Sequence, residues 1–211
     1  IATDINGNVY VVGTTISWPF PTNPVTGAYN QSTPNSINVG LEEAYIAKFS
    51  NNGNLLWSTL YCGRYSDFAT AVIADPAYNR IYVAGFTESD SLLPLKEFQG
   101  NVSYYWQPNV AGGMDGFLLV LNEKDTLEWA TYLGGVNNDY IKSVSVYPQP
   151  LGESNLVLAG HSASANFPTR DLPGNADYFV DTLYGGQDVT LSEFILSTGT
   201  HNNKQKRCTK F

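Results

Sequence analysis

The chain has 211 residues, a formal net charge of −8, and 43% hydrophobic against only 14% charged residues. That acidity excludes a nucleic-acid backbone as partner, because binding one requires a basic face. The apolar share is ample for a core, and 14 tyrosines with 19 glycines suit strands and polar turns better than helices.

Taken from the N-terminus, Asp4, Asn6 and Asn8 alternate as in an ion-binding loop, but no Glu follows at the EF-hand distance. A turn held by side-chain-to-backbone hydrogen bonds is the expectation there, and no metal site is assigned. NVYVVGTT (Asn8 to Thr15) alternates apolar with small or polar residues and predicts a first strand. WPFPT (Trp18 to Thr22) opens a long polar stretch, after which EAYIAKF (Glu43 to Phe49) predicts a second strand with Tyr45, Ala47 and Phe49 on one face. Asn52-Gly53 is a strong hairpin signal, since both residues accept the positive φ of a tight turn. LLWSTLY then predicts a third strand, and FATAVIAD, after a turn and Asp67, a fourth.

The pattern then begins again. RIYVAGFT (Arg80 to Thr87) repeats the first strand 72 residues on, and DGFLLVLNEKDTLEW (Asp115 to Trp129) repeats EAYIAKFSNNGNLLW at the same offset. WATYLGGVNNDYIKSV from Trp129 repeats WSTLYCGRYSDFATAV from Trp57. A third copy starts at NLVLAGHS (Asn155 to Ser162), continues through ANFPT (Ala165 to Thr169), and reaches GGQDVTLSEF, where Asp188 takes the place of Asp115. Beyond Phe194 the tryptophan motif is missing and no fourth strand is expected. Lys204, Lys206, Arg207 and Lys210 make the end a basic tail, read as a frayed terminus.

Four short antiparallel strands per unit of about 72 residues is the pattern of a β-propeller blade. The fold expected is therefore all-β, a partial propeller of about three repeats. Residues 1–7 end a preceding blade, 8–79 and 80–154 form two repeats, 155–196 form an incomplete third, and 197–211 form the tail. Trp57 and Trp129 are expected to fill the space between blades. The YVxG strand, the Phe-Pro-Thr, the [DE]-[AG]-[YF] strand, and W-[SA]-T-x-x-x-G followed by Asp together resemble the SBBP-type bacterial beta-propeller repeat. That resemblance implies a secreted or cell-surface protein. An arc of three blades also implies partners that cover its open faces, either remaining blades of a longer chain or further copies of this one.

The sequence offers no reaction. Its two histidines, His161 and His201, stand alone, and no nucleophile-elbow, zincin or phosphate-loop motif occurs. No catalytic residue or cofactor is assigned, and no run is apolar enough for membrane insertion. The N-terminus has neither the basic start nor the apolar segment of a signal peptide. Cys62 and Cys208 are read as free thiols. The variable stretches after each first strand carry aromatics, of which Tyr104, Tyr105 and Trp106 are the ligand-binding candidates, for a carbohydrate or a protein. The competing structural reading is that these rings pack their own loops down. The role expected is a non-catalytic scaffold or interaction segment. The alternative is part of a propeller enzyme acting on polysaccharide, which clustered, desolvated carboxylates on one face would favour.

Overall fold

A computed structural model of the chain describes residues 1–35, 40–98, 105–148, 154–168, 185–196 and 205–210. Among these residues are twelve strands in three four-stranded antiparallel sheets, each ordered as the chain runs. The first holds β1 (Ala2–Thr3), β2 (Val9–Thr15), β3 (Glu43–Phe49) and β4 (Leu55–Tyr61). The second holds β5 (Asp67–Asp75), β6 (Arg80–Thr87), β7 (Asp115–Leu121) and β8 (Leu127–Leu133). The third holds β9 (Asp139–Pro148), β10 (Ser154–Ser162), β11 (Asp188–Leu196) and β12 (Gln205–Lys210). No helix among the described residues is long and apolar enough to cross a membrane. The all-β blade architecture read from the repeat is thus present.

Two features depart from the sequence reading. The strand that closes each sequence unit pairs with the first strand of the next unit, so the sheets cut the chain one strand earlier than the repeat does. Asp75 and Arg80, joined by a tight turn, pair directly as the ends of β5 and β6. Periodicity measures the length of a repeat, and hydrogen bonding decides where it is cut. The second departure is β12, which supplies a fourth strand from within the basic tail and pairs Leu191 with Thr209 and Ser192 with Cys208. QKRCTK shows no apolar alternation, as suits an outer strand kept charged against further pairing.

The hairpin turns also differ in detail from the expectation. Gly53 has φ +81°, but Asn52 is not in the left-handed region. Gly53 N–H donates to the Ser50 carbonyl (2.9 Å), and the register shifts between Lys48 and Phe49. This is a longer turn with a bulge, the next commonest solution after the two-residue turn. The equivalent turn in the second sheet puts Asp125 at φ +58°, with the same bond from Asp125 N–H to the Asn122 carbonyl.

The sheets stack face to face, β5 against β2 and β3, and β9 against β6 and β7. Two apolar cores result, and they are copies of each other. Tyr10, Ile46, Trp57 and Tyr61 enter the first, and 72 positions on Tyr82, Leu118, Trp129 and Leu133 enter the second. Trp57 and Trp129 therefore stand where the repeat placed them, between blades. Burying an indole removes about 200 Å² from water, roughly 5 kcal/mol at ~25 cal/mol per Å². Rings cross each gap, Tyr61 to Phe117 at 5.3 Å and Trp129 to Phe194 at 5.7 Å.

One polar tie reinforces the first gap. The Asp125 carboxylate accepts from the Tyr10 hydroxyl (2.6 Å) and from Lys48 Nζ (2.8 Å), both on the first sheet. A buried pair of this kind is strongly destabilising only when one member is removed, because the other is then left uncompensated.

Candidate binding surface

In the first two sheets the segment between the second and third strands returns to the outer strand, where Asn23 bridges Ser58 and Lys96 bridges Ala130. Further along, the two segments converge on one device. In Tyr29-Asn30-Gln31, Gln31 N–H donates to Thr59 Oγ1 (2.7 Å), Gln31 Oε1 accepts from Cys62 N–H (3.0 Å), and the Tyr29 hydroxyl donates to Gln31 Oε1 (2.8 Å). In Tyr105-Trp106-Gln107 the same bonds run to Thr131 Oγ1 (2.8 Å), from Gly134 N–H (3.1 Å) and from the Tyr105 hydroxyl (2.6 Å). Here is the reason for the invariant threonine of W-[SA]-T: it anchors a Tyr-x-Gln clamp. The clamp is offset by 76 residues rather than 72, which hid it from the repeat.

The structure separates the proposed ligand residues by role. Tyr104 lies outside the described residues. Tyr105 is half-buried, serves the clamp, and meets Phe194 edge-on at 6.2 Å. Trp106 is 37% exposed. Its counterpart Asn30 spends its side chain locally, accepting from Val25 N–H (3.1 Å) and Trp57 Nε1 (3.3 Å). The outer two positions of the clamp are structural and the middle one varies.

A second aromatic set went unnoticed in the sequence. Phe68 stacks on Phe86 (4.6 Å), Phe86 meets Tyr140 edge-on (4.9 Å), and Tyr140 stacks on His161 (4.6 Å). All four rings are half-buried, and the row crosses from the second sheet to the third. Lys142 Nζ lies 4.1 Å from the centre of the Phe86 ring, a cation–π contact. Burial, and next the Lys142 charge, hold the His161 pKa below its ordinary value; burial also lowers that of Lys142. The rings spend their faces on one another and on Lys142, so the row reads as a packed seam.

The buried carboxylates are locks. Asp67 accepts from Gly63 N–H (2.7 Å) and Ser89 Oγ (3.2 Å), and closely from Thr87 Oγ1. Asp139 accepts likewise from Gly135 N–H (2.6 Å) and Ser164 Oγ (2.7 Å). This explains the G-x-x-x-D spacing: the carboxylate ties the turn between sheets to the end of the neighbouring strand, through a [TS]-x-S that occurs as Thr87-Glu88-Ser89 and as Ser162-Ala163-Ser164. Asp115 accepts from Gln107 Nε2 and Ala111 N–H, both 2.8 Å. Burial raises the Asp67 carboxyl to about 7 and the Asp115 carboxyl to about 6. Desolvated carboxylates are therefore present, but Asp67, Asp115 and Asp139 are fully buried beneath turns, not set along a cleft. Cys62, also fully buried and free, has its thiol pushed up by burial and by Glu43. At the N-terminus, Asp4 Oδ1 accepts from Asn6 and Asn8 N–H, both 2.9 Å, so these side chains do the turning expected of them.

On the first sheet, the face turned away from the second carries a groove of about 300 Å³. It is lined by Val11, Phe20, Tyr45, Ala47, Phe49 and Leu55 among others, with Phe20 against Tyr45 at 5.1 Å.

Sequential four-stranded sheets stacked through repeated aromatic cores define a set of β-propeller blades. In agreement, residues 1–21 match the SBBP beta-propeller repeat, the family that the recurring motifs resemble. An uncharacterized WD repeat-containing protein of Acanthamoeba polyphaga mimivirus is 25% identical to this chain over 194 residues. The match takes in 84% of this chain and 13% of that protein's length.

Proposed function

We propose that the chain is a non-catalytic interaction segment of a secreted or cell-surface protein, meeting its ligand through the clamp loop that carries Trp106. The observation behind this reading is the Tyr-x-Gln clamp itself. Two sheets hold the same loop ends by the same hydrogen bonds, and only the middle residue differs: both positions are exposed, but Asn30 spends its side chain on bonds within its own loop and to Trp57, whereas Trp106 offers an indole. A rigid frame with a variable exposed residue is how scaffolds present recognition side chains. An exposed indole offers a flat apolar face with a donor at its edge, which suits a sugar ring or a protein side chain. The match to a WD repeat-containing protein supports a propeller in an interaction role.

The test is a glycan array and a protein-binding screen on the purified chain, followed by titration of the best ligand. Trp106→Ala is expected to weaken binding at least tenfold while the melting temperature stays put, because the indole is not part of either core. Undiminished binding by this variant would remove the proposal.

A further inference from the structure

The aromatic seam between the second and third sheets holds a charge that no carboxylate answers. β5 and β9 carry equivalent bulges, in which Thr70 and, 72 positions on, Lys142 are the extra residues left out of the ladder. Bulges re-aim a side chain, and these two are aimed toward each other's sheet. The Thr70 hydroxyl is spent there, donating to Ile141 O (2.7 Å) on β9. Lys142 turns the other way, its Nζ 4.1 Å from the ring centre of Phe86 on the second sheet and 4.9 Å from that of Tyr140 on its own. Among the described residues the ion pairs are Lys48–Asp125 and Arg80–Glu128, so this exposed ammonium is held by ring faces and by no carboxylate. The repeat does not require the arrangement. Thr14 takes the place of Phe86 and His161 in the first sheet, and Thr70 takes that of Lys142 in the second.

We infer that Lys142, His161 and the Tyr140 hydroxyl form a binding site for a single carboxylate group, free or carried on an acidic sugar. A cation lodged over π faces keeps its full charge, whereas one paired to Asp or Glu is neutralised. The ring faces are taken, so an incoming group meets ring edges, the positive rim of the aromatic quadrupole. Beside the ammonium stand two donors that no hydrogen bond among the described residues uses: the Tyr140 hydroxyl and a ring N–H of His161, the two rings stacked at 4.6 Å. Asp139, whose charge reaches His161, is fully buried and engaged with Gly135 N–H and Ser164 Oγ. One ammonium on a chain of net charge −8 selects a monoanion over a phosphate dianion or a polyanion. The site shares no residue with the loop that carries Trp106, and it goes beyond the reading built on that loop.

The experiment titrates the full chain with sodium acetate, with a galacturonic acid trisaccharide and with the neutral methyl ester of that trisaccharide, all at one ionic strength. NMR follows the His161 ring and the terminal methylene of Lys142, and sodium chloride is the blank. The expected result is saturable shifts of both residues with the acid trisaccharide, with acetate or with both, and binding of the ester at least about tenfold weaker. A trisaccharide that binds more tightly than acetate places the carboxylate on a sugar, and equal affinities make it a free acid. Lys142→Met keeps an apolar contact with Phe86 but no charge; read at His161, it should weaken binding about tenfold with its melting midpoint in place, and Lys142→Arg should retain binding. Three results overturn the inference. The first is a wild-type chain whose signals do not saturate, or move as far with chloride, which would leave Lys142 as a staple across the gap. The second is an ester that binds as well as the acid. The third is a Lys142→Met variant that binds as the wild type does.

Discussion

Asp115 begins β7 in full burial, with Oδ2 accepting from Gln107 and Ala111 while no hydrogen bond reaches Oδ1. Burial disfavours ionising it by more than the hydrogen bonds from Ala111, Gln107 and Gly112 offset, and the Asp139 charge adds to the rise, so its carboxyl is raised to about 6; Asp67 is raised to about 7 with burial again the leading cause. Both folded-state values lie above the unfolded one near 3.9, so the fold favours the protonated forms. The stability they contribute is complete below about pH 4 and is lost as pH rises through 6 and 7. Melting temperature should accordingly fall across that window. In Asp115→Asn the amide oxygen can accept both bonds and nothing ionises, so the variant should gain on the wild type as pH rises from 4 to 7.5. Parallel melting curves across that range would contradict the assignment. Asp125 illustrates the opposite use of a carboxylate, since it tolerates φ +58°, where its counterpart is Gly53, and in return ties Lys48 and Tyr10 across the gap.

Among elements, the pairing of the first two strands in the second and third sheets turns on a glycine. A Cβ on Gly85 would lie 1.9 Å from the Phe68 carbonyl oxygen, and on Gly160 1.8 Å from that of Tyr140. The neighbouring register shifts, between Ala69 and Ala71 and between Ala159 and Gly160, bring those carbonyls in. The Thr70 hydroxyl uses the bulge to donate to Ile141 O (2.7 Å) on the next sheet. Gly85→Ala is therefore expected to cost on the order of 3 kcal/mol, read from chemical denaturation, since backbone rather than a movable side chain stands in the way. A loss under 1 kcal/mol would show that the strands can separate at no penalty.

That glycine was visible in the sequence as the end of each YVxG strand, and so were the strands and the tryptophans, because all of them keep the 72-residue register. Features joining two registers were not. The Tyr-x-Gln clamp slips to 76 because the loops before it differ in length. The Phe68–Phe86–Tyr140–His161 row joins strands of different sheets, and strand alternation says which face a ring takes but not which sheet it meets. β12 carries no apolar alternation, so its pairing with β11 left no trace in hydropathy. Of the three proposed ligand residues, adjacency in YYW suggested one patch; the clamp instead assigns Tyr105 to structure and leaves Trp106 at the surface.

At the level of the whole molecule, the repeat serves the gaps between sheets. Each gap receives Tyr, Ile or Leu, and Trp from one sheet into an apolar face of the next, and the turn between sheets is locked by Asp67 or Asp139. Stability in such an array is a sum of sheets and nearest-neighbour interfaces, so both outer faces matter as much as the loops for what the chain can bind. The most direct test of this stacking is a solution NOE experiment on ring-labelled protein. The account predicts cross-peaks between the rings of Tyr61 and Phe117 and between those of Trp129 and Phe194, pairs that meet only across gaps. The Phe68–Phe86 pair, stacked within one sheet, is the internal control. Control peaks without either cross-gap pair would contradict the stacked arrangement.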